Sequence, residues 1–295
     1  MSVNMDITPF VQSIERLKFN VEGIHVFQHG REIAKHRWAA EQVRTIYSVS
    51  KSFVSIAAGM AIDEGKLKLS DRVTNIVSGN PADPRWNSVT LEHLLTMSIG
   101  SSGFYRPQSV EEAYSYKLTA DAGERFTYDN TCTFLASVMI SKVTGLKVRD
   151  YLIPKLFRPL GIPDPQWAES ADGYTIGANG LELTTSQLAT FGRFLLQRGN
   201  WDGTQLVSAA WIDAASRTQV ATWQPNAERD YNIGYGYQFW TCRHGAYRCD
   251  GKDGQFVIVF PALDAVVAIN ANEKDPEPIL YAVWDHVLAQ LQDLY

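Results

Sequence analysis

The alternation of apolar and polar residues predicts an antiparallel sheet whose strands come from both ends of the chain. Ile24–Gln28 and Glu32–Trp38 flank His29-Gly30, a spacing typical of a β-hairpin. Strands that follow one another through short turns pair antiparallel, so we expect a single antiparallel sheet. Four apolar runs near the C-terminus predict its other strands, at Tyr235–Cys242, Ala246–Cys249, Gln255–Phe260 and Ala265–Ala271.

Helical periodicity marks several segments between and beside these strands. After Ser50 apolar residues recur at intervals of three and four, and Gly65 follows as a stop signal, which predicts an amphipathic helix. A capping box, Thr184-x-x-Gln187, begins another helix that ends near Gly199. Further helices are predicted at residues 11–18, Leu91–Met97, Cys132–Thr144 and Ile279–Leu291.

The order of these elements predicts an α+β fold with a helical insertion. Residues 1–75 and 183–295 carry the predicted strands and form an antiparallel sheet region flanked by helices. From about residue 76 the chain changes to helices and loops rich in Pro, Gly and Ser, so 76–182 is predicted to be a mostly helical insert. Clefts between two such regions commonly hold active sites, and we expect the site there.

Composition indicates a globular protein and disfavours several classes of function. The 295 residues are 45% hydrophobic, and a formal charge of −5 without long runs of one sign gives no reason to expect a nucleic acid or membrane partner. The N-terminus does not resemble a secretory signal, and no run of about 18 apolar residues is present. Three cysteines without C-x-x-C spacing predict neither disulfides nor a zinc site. We expect a cytoplasmic protein that needs no metal or other cofactor.

Ser48 and Lys51 are the first candidates for chemistry, because only here does a lysine follow a serine by three residues. Residues three apart share a helix face, which places the amine beside the hydroxyl. Serine is a weak nucleophile at its own pKa, and an adjacent base activates it. Ser48 is predicted at or just before the first helical turn, where free N–H groups and the dipole favour an oxyanion. Alternatively, Ser48 is a helix N-cap without chemistry.

The segment Tyr128-Asp129-Asn130, just before the helix predicted at Cys132, supplies the next candidates. A phenol beside an ammonium is more easily deprotonated, so Tyr128 is predicted to relay a proton next to Lys51. Asn130 is predicted to bind a substrate carbonyl or to hold Lys51. The alternative is a buried tyrosine followed by a helix-capping asparagine.

Both motifs, in this order and about eighty residues apart, resemble the serine β-lactamase and penicillin-binding-protein superfamily, above all class C β-lactamases, DD-peptidases and related esterases. The resemblance covers about residues 20–290. It implies the fold of that superfamily and an acyl-enzyme reaction in which Ser48 attacks, Lys51 and Tyr128 move the proton, and Asn130 orients the substrate. Other segments that carry the resemblance are Glu92–Met97, Pro159-Leu160-Gly161, Gly180–Thr185, Trp201-Asp202-Gly203 and Gly251–Gln255.

The same family has a third motif on a strand beside the cleft, usually Lys-Thr-Gly or His-x-Gly, and the matching residues here are Cys249-Asp250-Gly251. The cation of the first position is missing, and alternation along the strand points Arg248 away from the face of Cys249. By resemblance, these three residues contact the substrate, Gly251 lets it lie close to the strand, and the amide of Lys252 is the second oxyanion donor, after that of the nucleophile. The loss of a carboxylate anchor predicts hydrolysis of a less anionic ester or amide rather than efficient β-lactam turnover.

The sequence therefore predicts a serine hydrolase that acts on a small ester, a D-amino-acid peptide or a β-lactam-like amide. A route in which Glu169 positions water is disfavoured, because Tyr128-x-Asn130 replaces the Ser-Asp-Asn of class A enzymes. An α/β-hydrolase is disfavoured because the chain has no Gly-x-Ser-x-Gly. The absent third-motif lysine leaves a catalytically silent binding protein as the alternative. Nothing in the sequence indicates an oligomeric state.

Overall fold

The computed structural model describes residues 4–223 and 229–293, and its centre is a six-stranded antiparallel sheet. Its order is β2-β1-β6-β5-β4-β3, so the N-terminal hairpin pairs with the last strand of the C-terminal set. The predicted sheet and hairpin are thus confirmed. The strands are β1 (Val21–Gln28), β2 (Arg31–Arg37), β3 (Trp240–Thr241), β4 (Tyr247–Gly251), β5 (Gln255–Phe260) and β6 (Ala265–Ala271).

The strand predicted at Tyr235–Cys242 is wrong for most of its length, because only Trp240–Thr241 joins the sheet. The amide of Tyr237 donates instead to the carbonyl of Ala215 at 2.9 Å. Gly236 approaches the same residue so closely that a Cβ would lie 2.0 Å from the Ala215 oxygen. The amide of Tyr235 donates to the carbonyl of Val220, so this backbone bonds to the end of the helix at Ala209–Ser216 and to the loop after it, which leaves β3 as a short edge strand.

Helices cover both faces of the sheet and fill the middle of the chain. Most of the predicted helices are confirmed to within a few residues. The π-helical turns Ile153–Phe157 and Val283–Leu288 extend α7 and join α10 to α11. In chain order the α-helices are α1 (Thr8–Leu17), α2 (Ser50–Asp63), α3 (Val73–Ile76), α4 (Leu91–Leu95), α5 (Val110–Ser115), α6 (Asn130–Thr144), α7 (Val148–Leu152), α8 (Thr185–Leu196), α9 (Ala209–Ser216), α10 (Glu277–Ala282) and α11 (Ala289–Asp293).

Alternation along the strands sorts their side chains between two hydrophobic cores. Val257 of β5 faces the side covered by α8, whereas its neighbours Phe256 and Ile258 face α1 and the C-terminal helices. Helix α8 approaches the sheet closely at Gly192, where a Cβ would lie 2.5 Å from the side chain of Val266. The sheet is therefore buried on both faces.

Helix α2 is buried on all sides, not amphipathic as the sequence predicts. Every residue from Ser50 to Ala61 is buried, and the helix packs against α6, α7 and α9. Two of its serine hydroxyls find acceptors there: Ser50 Oγ donates to the carbonyl of Tyr47 at 2.6 Å, and Ser52 Oγ donates to the carbonyl of Gln238 at 2.9 Å. Apolar periodicity therefore locates this helix correctly but underestimates its burial.

Residues 76–182 contain helices, turns and isolated bridges, up to the short strand Glu182–Leu183 that pairs with Arg44–Thr45. One large hydrophobic cluster runs from α2 through this region to β5, and the division into a sheet region and an insert stays a prediction. Within the described ranges, no single helix is long and apolar enough to cross a bilayer. The helices Asn130–Thr144 and Val148–Phe157 reach the length and apolar composition of a membrane span only when they are taken together, and they are bent by 65° at the break between them.

Candidate active site

A cleft of about 510 Å³ lies where the start of α2, the start of α6 and the end of β4 meet. The edge of β4 is open there, because β3 pairs only with Tyr247 and Arg248. The cleft brings together side chains from distant parts of the chain, including five predicted site residues. Its lining consists of Thr45, Tyr47, Ser48, Phe104, Arg106, Tyr128, Asn130, Asn179, Tyr231, Trp240, Asp250 and Lys252.

Ser48 lies in a short 3-10 turn, Tyr47–Val49, immediately before α2, as predicted. The turn needs a positive φ of 46° at Tyr47, a conformation that costs a non-glycine residue about 1–3 kcal/mol. The Ser50 hydroxyl stabilises the turn: it donates to the Tyr47 carbonyl at 2.6 Å and accepts from the Leu181 amide at 3.3 Å. Hydrogen bonds from two parts of the chain therefore fix the position of Ser48.

Lys51 is the buried amine beside Ser48. Its Nζ lies 3.1 Å from Ser48 Oγ, 2.7 Å from Asn130 Oδ1 and 2.7 Å from the Ala178 carbonyl oxygen. Burial lowers the pKa of Lys51 to about 7, because desolvation disfavours the ammonium. A neutral amine has two hydrogens and one lone pair. With Asn130 and Ala178 accepting the two hydrogens, the lone pair is directed to the Ser48 hydroxyl.

Tyr128 hydrogen-bonds the Ser48 hydroxyl, and burial raises the pKa of its phenol well above the usual value. The Lys51 nitrogen lies over the ring, 5.1 Å from its centroid. The prediction that Lys51 makes this phenol easier to deprotonate is therefore wrong, because burial dominates. Tyr128 keeps its proton, and the amine is the group placed to accept one.

Asn130 is the first residue of α6, but the helix is capped by the residue before it. Asp129 Oδ1 accepts from the Thr131 amide at 2.9 Å and from the Tyr105 amide at 3.2 Å. The carboxamide oxygen of Asn130 is thus free to accept from Lys51. Its Nδ2 has no acceptor in the part of the chain that the structure describes, and Asn130 lines the cleft. This nitrogen is therefore available to a substrate carbonyl.

The pleat of β4 splits the third-motif residues between two faces of the sheet. Cys249 is 1% exposed, its thiol hydrogen-bonds the Ser52 side chain, and burial raises its pKa to about 12. It does not line the cleft, so the prediction that Cys249 contacts the substrate is wrong. The side chain points toward α2 and is too short to reach the cleft from there.

Asp250 lies on the opposite face and lines the cleft. Its Oδ2 accepts from Arg248 Nε at 2.7 Å and from the Tyr231 hydroxyl at 3.1 Å. Arg248 is fully buried, and it points away from the face of Cys249 as predicted. Burial raises the pKa of Asp250, and the adjacent guanidinium opposes that effect. The Arg248 guanidinium is therefore paired with Asp250 inside the site.

Gly251 brings β4 directly against the turn that carries Ser48. A Cβ at this position would lie 2.5 Å from the Ile46 carbonyl oxygen and 3.2 Å from Val49 Cγ2, so packing against this turn already requires glycine. Lys252 follows the strand and lines the cleft, with Nζ 3.6 Å from Asp253 Oδ1. The predicted oxyanion donors belong to residues that both line the cleft.

Asn179, Phe104 and Arg106 also line the cleft, although no motif in the sequence points to them. They lie in loops that carry no recognisable spacing, and the glycines around Asn179 are the only local signal. Glu169 lies outside the cleft, where both carboxylate oxygens are 2.7 Å from Lys147 Nζ. The disfavoured glutamate route therefore has no support in the structure.

The fold and the site together define a class of proteins. An antiparallel sheet packed against helices, with Ser-x-x-Lys at the start of one central helix and Tyr-x-Asn at the start of another, is the arrangement of the serine β-lactamase and penicillin-binding-protein superfamily. The chain belongs to the Beta-lactamase family, whose model matches residues 21–292.

Relatives and solved structures agree with this assignment. The 6-aminohexanoate-dimer hydrolase of Paenarthrobacter ureafaciens is 23% identical over 270 residues, which cover 81% of this chain and 69% of that protein. A β-lactamase of Escherichia coli (strain K12) is 27% identical over 199 residues, covering 59% of this chain and only 52% of the relative. The octameric penicillin-binding protein homologue from Pyrococcus abyssi superposes with a TM-score of 0.78 at 22% identity, covering 97% of this chain and 78% of that one. The relatives are hydrolases, and the structural likeness supports the fold.

Proposed function

We propose that this protein is a serine hydrolase that cleaves a small ester or amide through an acyl-enzyme on Ser48. The observation that carries the proposal is the 3.1 Å contact between Lys51 Nζ and Ser48 Oγ. Because the pKa of this buried amine is about 7, a large share of it is neutral near physiological pH. A hydroxyl with an adjacent base in a cleft is the arrangement that nucleophilic catalysis requires.

In the acylation step, neutral Lys51 takes the proton of Ser48 as Oγ attacks the carbonyl carbon. The amides of Ser48 and Lys252 stabilise the tetrahedral oxyanion, and loss of one such donor typically costs about 2.7–4 kcal/mol of barrier. The C–O or C–N bond then breaks, and the proton on Lys51 passes to the leaving group, with the Tyr128 hydroxyl as the relay. Asn130 Nδ2 donates to a substrate carbonyl and orients it.

Deacylation repeats the same proton movements with water in place of the leaving group. Lys51 accepts a proton from water as the water oxygen attacks the acyl carbon, and the ester bond to Ser48 Oγ breaks. The proton returns to the serine oxygen, which restores the resting site. These steps balance without a metal or an organic cofactor.

The proposal of an ester or an amide as the bond that is cleaved is supported by relatives in the family. Two relatives bear the names 6-aminohexanoate-dimer hydrolase and lovastatin esterase, which support hydrolysis of small non-peptide substrates here. The matched lovastatin esterase segment covers 43% of this chain, so it supports the reaction class and not the substrate.

Labelling with a fluorophosphonate and a fluorescent penicillin, followed by mass location of the adduct, tests the proposal. We expect an adduct on Ser48 and hydrolysis of p-nitrophenyl acetate that Ser48→Ala abolishes. Ser115 is an exposed serine outside the cleft, so Ser115→Ala is the matched control. We expect this variant to retain both the adduct on Ser48 and the hydrolysis of p-nitrophenyl acetate. Absence of any Ser48 adduct together with Ser48-independent hydrolysis would favour the alternative, a binding protein that keeps the cleft without its chemistry.

A further inference from the structure

A column of stacked side chains forms one wall of the cleft. The rings of Phe104 and Tyr128 are 6.0 Å apart at an angle of 8°, and those of Tyr128 and Trp240 are 5.7 Å apart at 16°. An arginine closes each end of the column. The guanidinium carbon of Arg106 lies 5.0 Å from the Phe104 centroid, and that of Arg248 lies 5.6 Å from the Trp240 centroid.

The two arginines differ in whether a carboxylate pairs with the guanidinium. Arg248, at the buried end, donates to Asp250 at 2.7 Å. Arg106, at the exposed end, has no carboxylate and no hydrogen-bond acceptor for its guanidinium within residues 4–223 and 229–293. Lys252 also lines the cleft, but its Nζ lies 3.6 Å from Asp253. Arg106 is therefore a cation of the cleft wall that no carboxylate of the described residues pairs with.

Arg106 is close enough to the reacting groups to act on a bound substrate. It lines the same cleft as Ser48, and it lines a small adjoining cavity together with Asn130 and Asn179. Its charge also contributes to the lowered pKa of Lys51, which places the two cations within electrostatic range of each other. A molecule whose carbonyl lies at Ser48 can therefore extend along the carboxamides to the guanidinium.

The loop that carries Arg106 is hydrogen-bonded to the N-terminus of α6. Asp129 Oδ1 caps α6 and also accepts from the amide of Tyr105, the residue before Arg106. The Tyr105 ring stacks on Tyr116 with centroids 4.0 Å apart. The backbone next to Arg106 is therefore held by the same residue that caps the helix of Asn130.

We propose that Arg106 binds a carboxylate of the substrate, so that this protein selects esters or amides with an anionic group a few bonds from the scissile carbonyl. The inference rests on the proposed hydrolase function and specifies its substrate class. It reverses the expectation from the missing third-motif cation, which predicts a less anionic substrate. An arginine fork pairs with both carboxylate oxygens, and such a bond is stronger in a cleft than in open water.

Two pairs of esters test the proposal, because the anion can lie on either side of the scissile bond. The first is p-nitrophenyl hemiglutarate with its methyl ester, and the second is 4-acetoxybenzoate with methyl 4-acetoxybenzoate. The ratio of kcat/KM for the anionic and neutral member is measured for wild type and variants, so that intrinsic reactivity cancels. We expect Arg106→Gln to lower this ratio at least tenfold in one pair, and Arg106→Lys to lower it less. Arg158→Gln, an exposed arginine outside the cleft, makes the same charge change and leaves the ratio unaltered.

A binding measurement separates this inference from the proposed function. In Ser48→Ala, which cannot form an acyl-enzyme, calorimetry gives the Kd of each intact ester. We expect the anionic member of one pair to bind at least tenfold tighter, and Arg106→Gln in the same background to remove the difference. A preference in binding without Ser48-dependent turnover supports the anion site and overturns the hydrolase. Turnover with the same ratio in wild type and Arg106→Gln for both pairs overturns the anion site and leaves the hydrolase standing.

Discussion

Asn130 Oδ1 lies 2.7 Å from Lys51 Nζ and joins the first turn of α6 to the first turn of α2. The two residues are 79 positions apart, and each depends on the other. The amide oxygen fixes one hydrogen of the amine, and the amine holds the carboxamide so that its nitrogen remains free for a substrate. A second helix thus helps to fix the geometry of the base, in addition to the three-residue spacing of Ser48 and Lys51.

Asn130→Asp is expected to move the pH dependence of the reaction. A carboxylate at this distance stabilises the ammonium form, so the pKa of Lys51 rises and less of the base is neutral at a given pH. The acidic limb of kcat/KM should shift upward by at least about one pH unit, measured with a neutral p-nitrophenyl ester. Asn130→Ala adds no charge and serves as the control: it should lower the rate and leave the limb without an upward shift. An unmoved limb in a folded Asn130→Asp protein contradicts this account.

The wild-type pH profile follows from the same amine. Because Lys51 must be neutral to accept the Ser48 proton and its pKa is about 7, activity should be low at acidic pH and rise as pH passes about 7. Rates of p-nitrophenyl acetate hydrolysis between pH 5 and 9 give the limb directly. A limb near 10, the usual value for lysine, would mean that the amine is not desolvated as the structure indicates.

Tyr128→Phe removes one hydroxyl and keeps the ring between Phe104 and Trp240. If the phenol relays the proton to the leaving group, turnover should fall by about 10²–10⁴-fold. The Tm should change little, since the stacking contacts remain. Near-normal turnover would leave Lys51 as the sole proton carrier.

Two glycine substitutions separate the site from the scaffold. At Gly251 a Cβ would lie 2.5 Å from the Ile46 carbonyl oxygen, so Gly251→Ala must displace β4 or the turn before Ser48. We expect a loss of about 1–3 kcal/mol of stability and a large drop in kcat. Gly192→Ala instead clashes with Val266 under the sheet, and should cost stability while the folded fraction keeps its kcat. Urea unfolding measures the stability, and turnover rates divided by the concentration of active sites from titration give kcat of the folded fraction. Equal kcat losses in the two variants would contradict the close approach of β4 to the nucleophile.

The elements of this fold were largely predictable because most of them are strongly patterned. The strands after Ala246 are short apolar runs separated by turns, a signal that burial of the sheet on both faces imposes directly. Tyr235–Cys242 is also apolar, but the amides of Tyr235 and Tyr237 donate to the loop after α9 and to the end of α9, and no local pattern predicts that choice of partner. Burial of α2 on its polar side is likewise a tertiary property, because Ser52 donates to the carbonyl of Gln238, which is distant in the sequence.

The candidate site was predictable where a recognisable sequence motif carries it, and not in the loops without one. Ser48 and Lys51 meet because they are three residues apart, and Asn130 joins them at the start of α6. Which third-motif residue faces the cleft depends on the pleat and on the open edge of β4, and here it is Asp250 and not Cys249. Arg106 depends on a loop path, which the sequence does not encode in a recognisable motif.

The contact between Lys51 and the Ala178 carbonyl has a consequence for how such proteins evolve. The acceptor is a main-chain atom, so any residue that preserves the local backbone supplies it equally well. Substitutions at position 178 that fit its buried surroundings can therefore leave the base unaltered, provided that Gly177 keeps its φ of 71°. One third of the hydrogen-bonding environment of the amine is thus inherited through chain geometry, and divergent homologues can share it with no side chain in common.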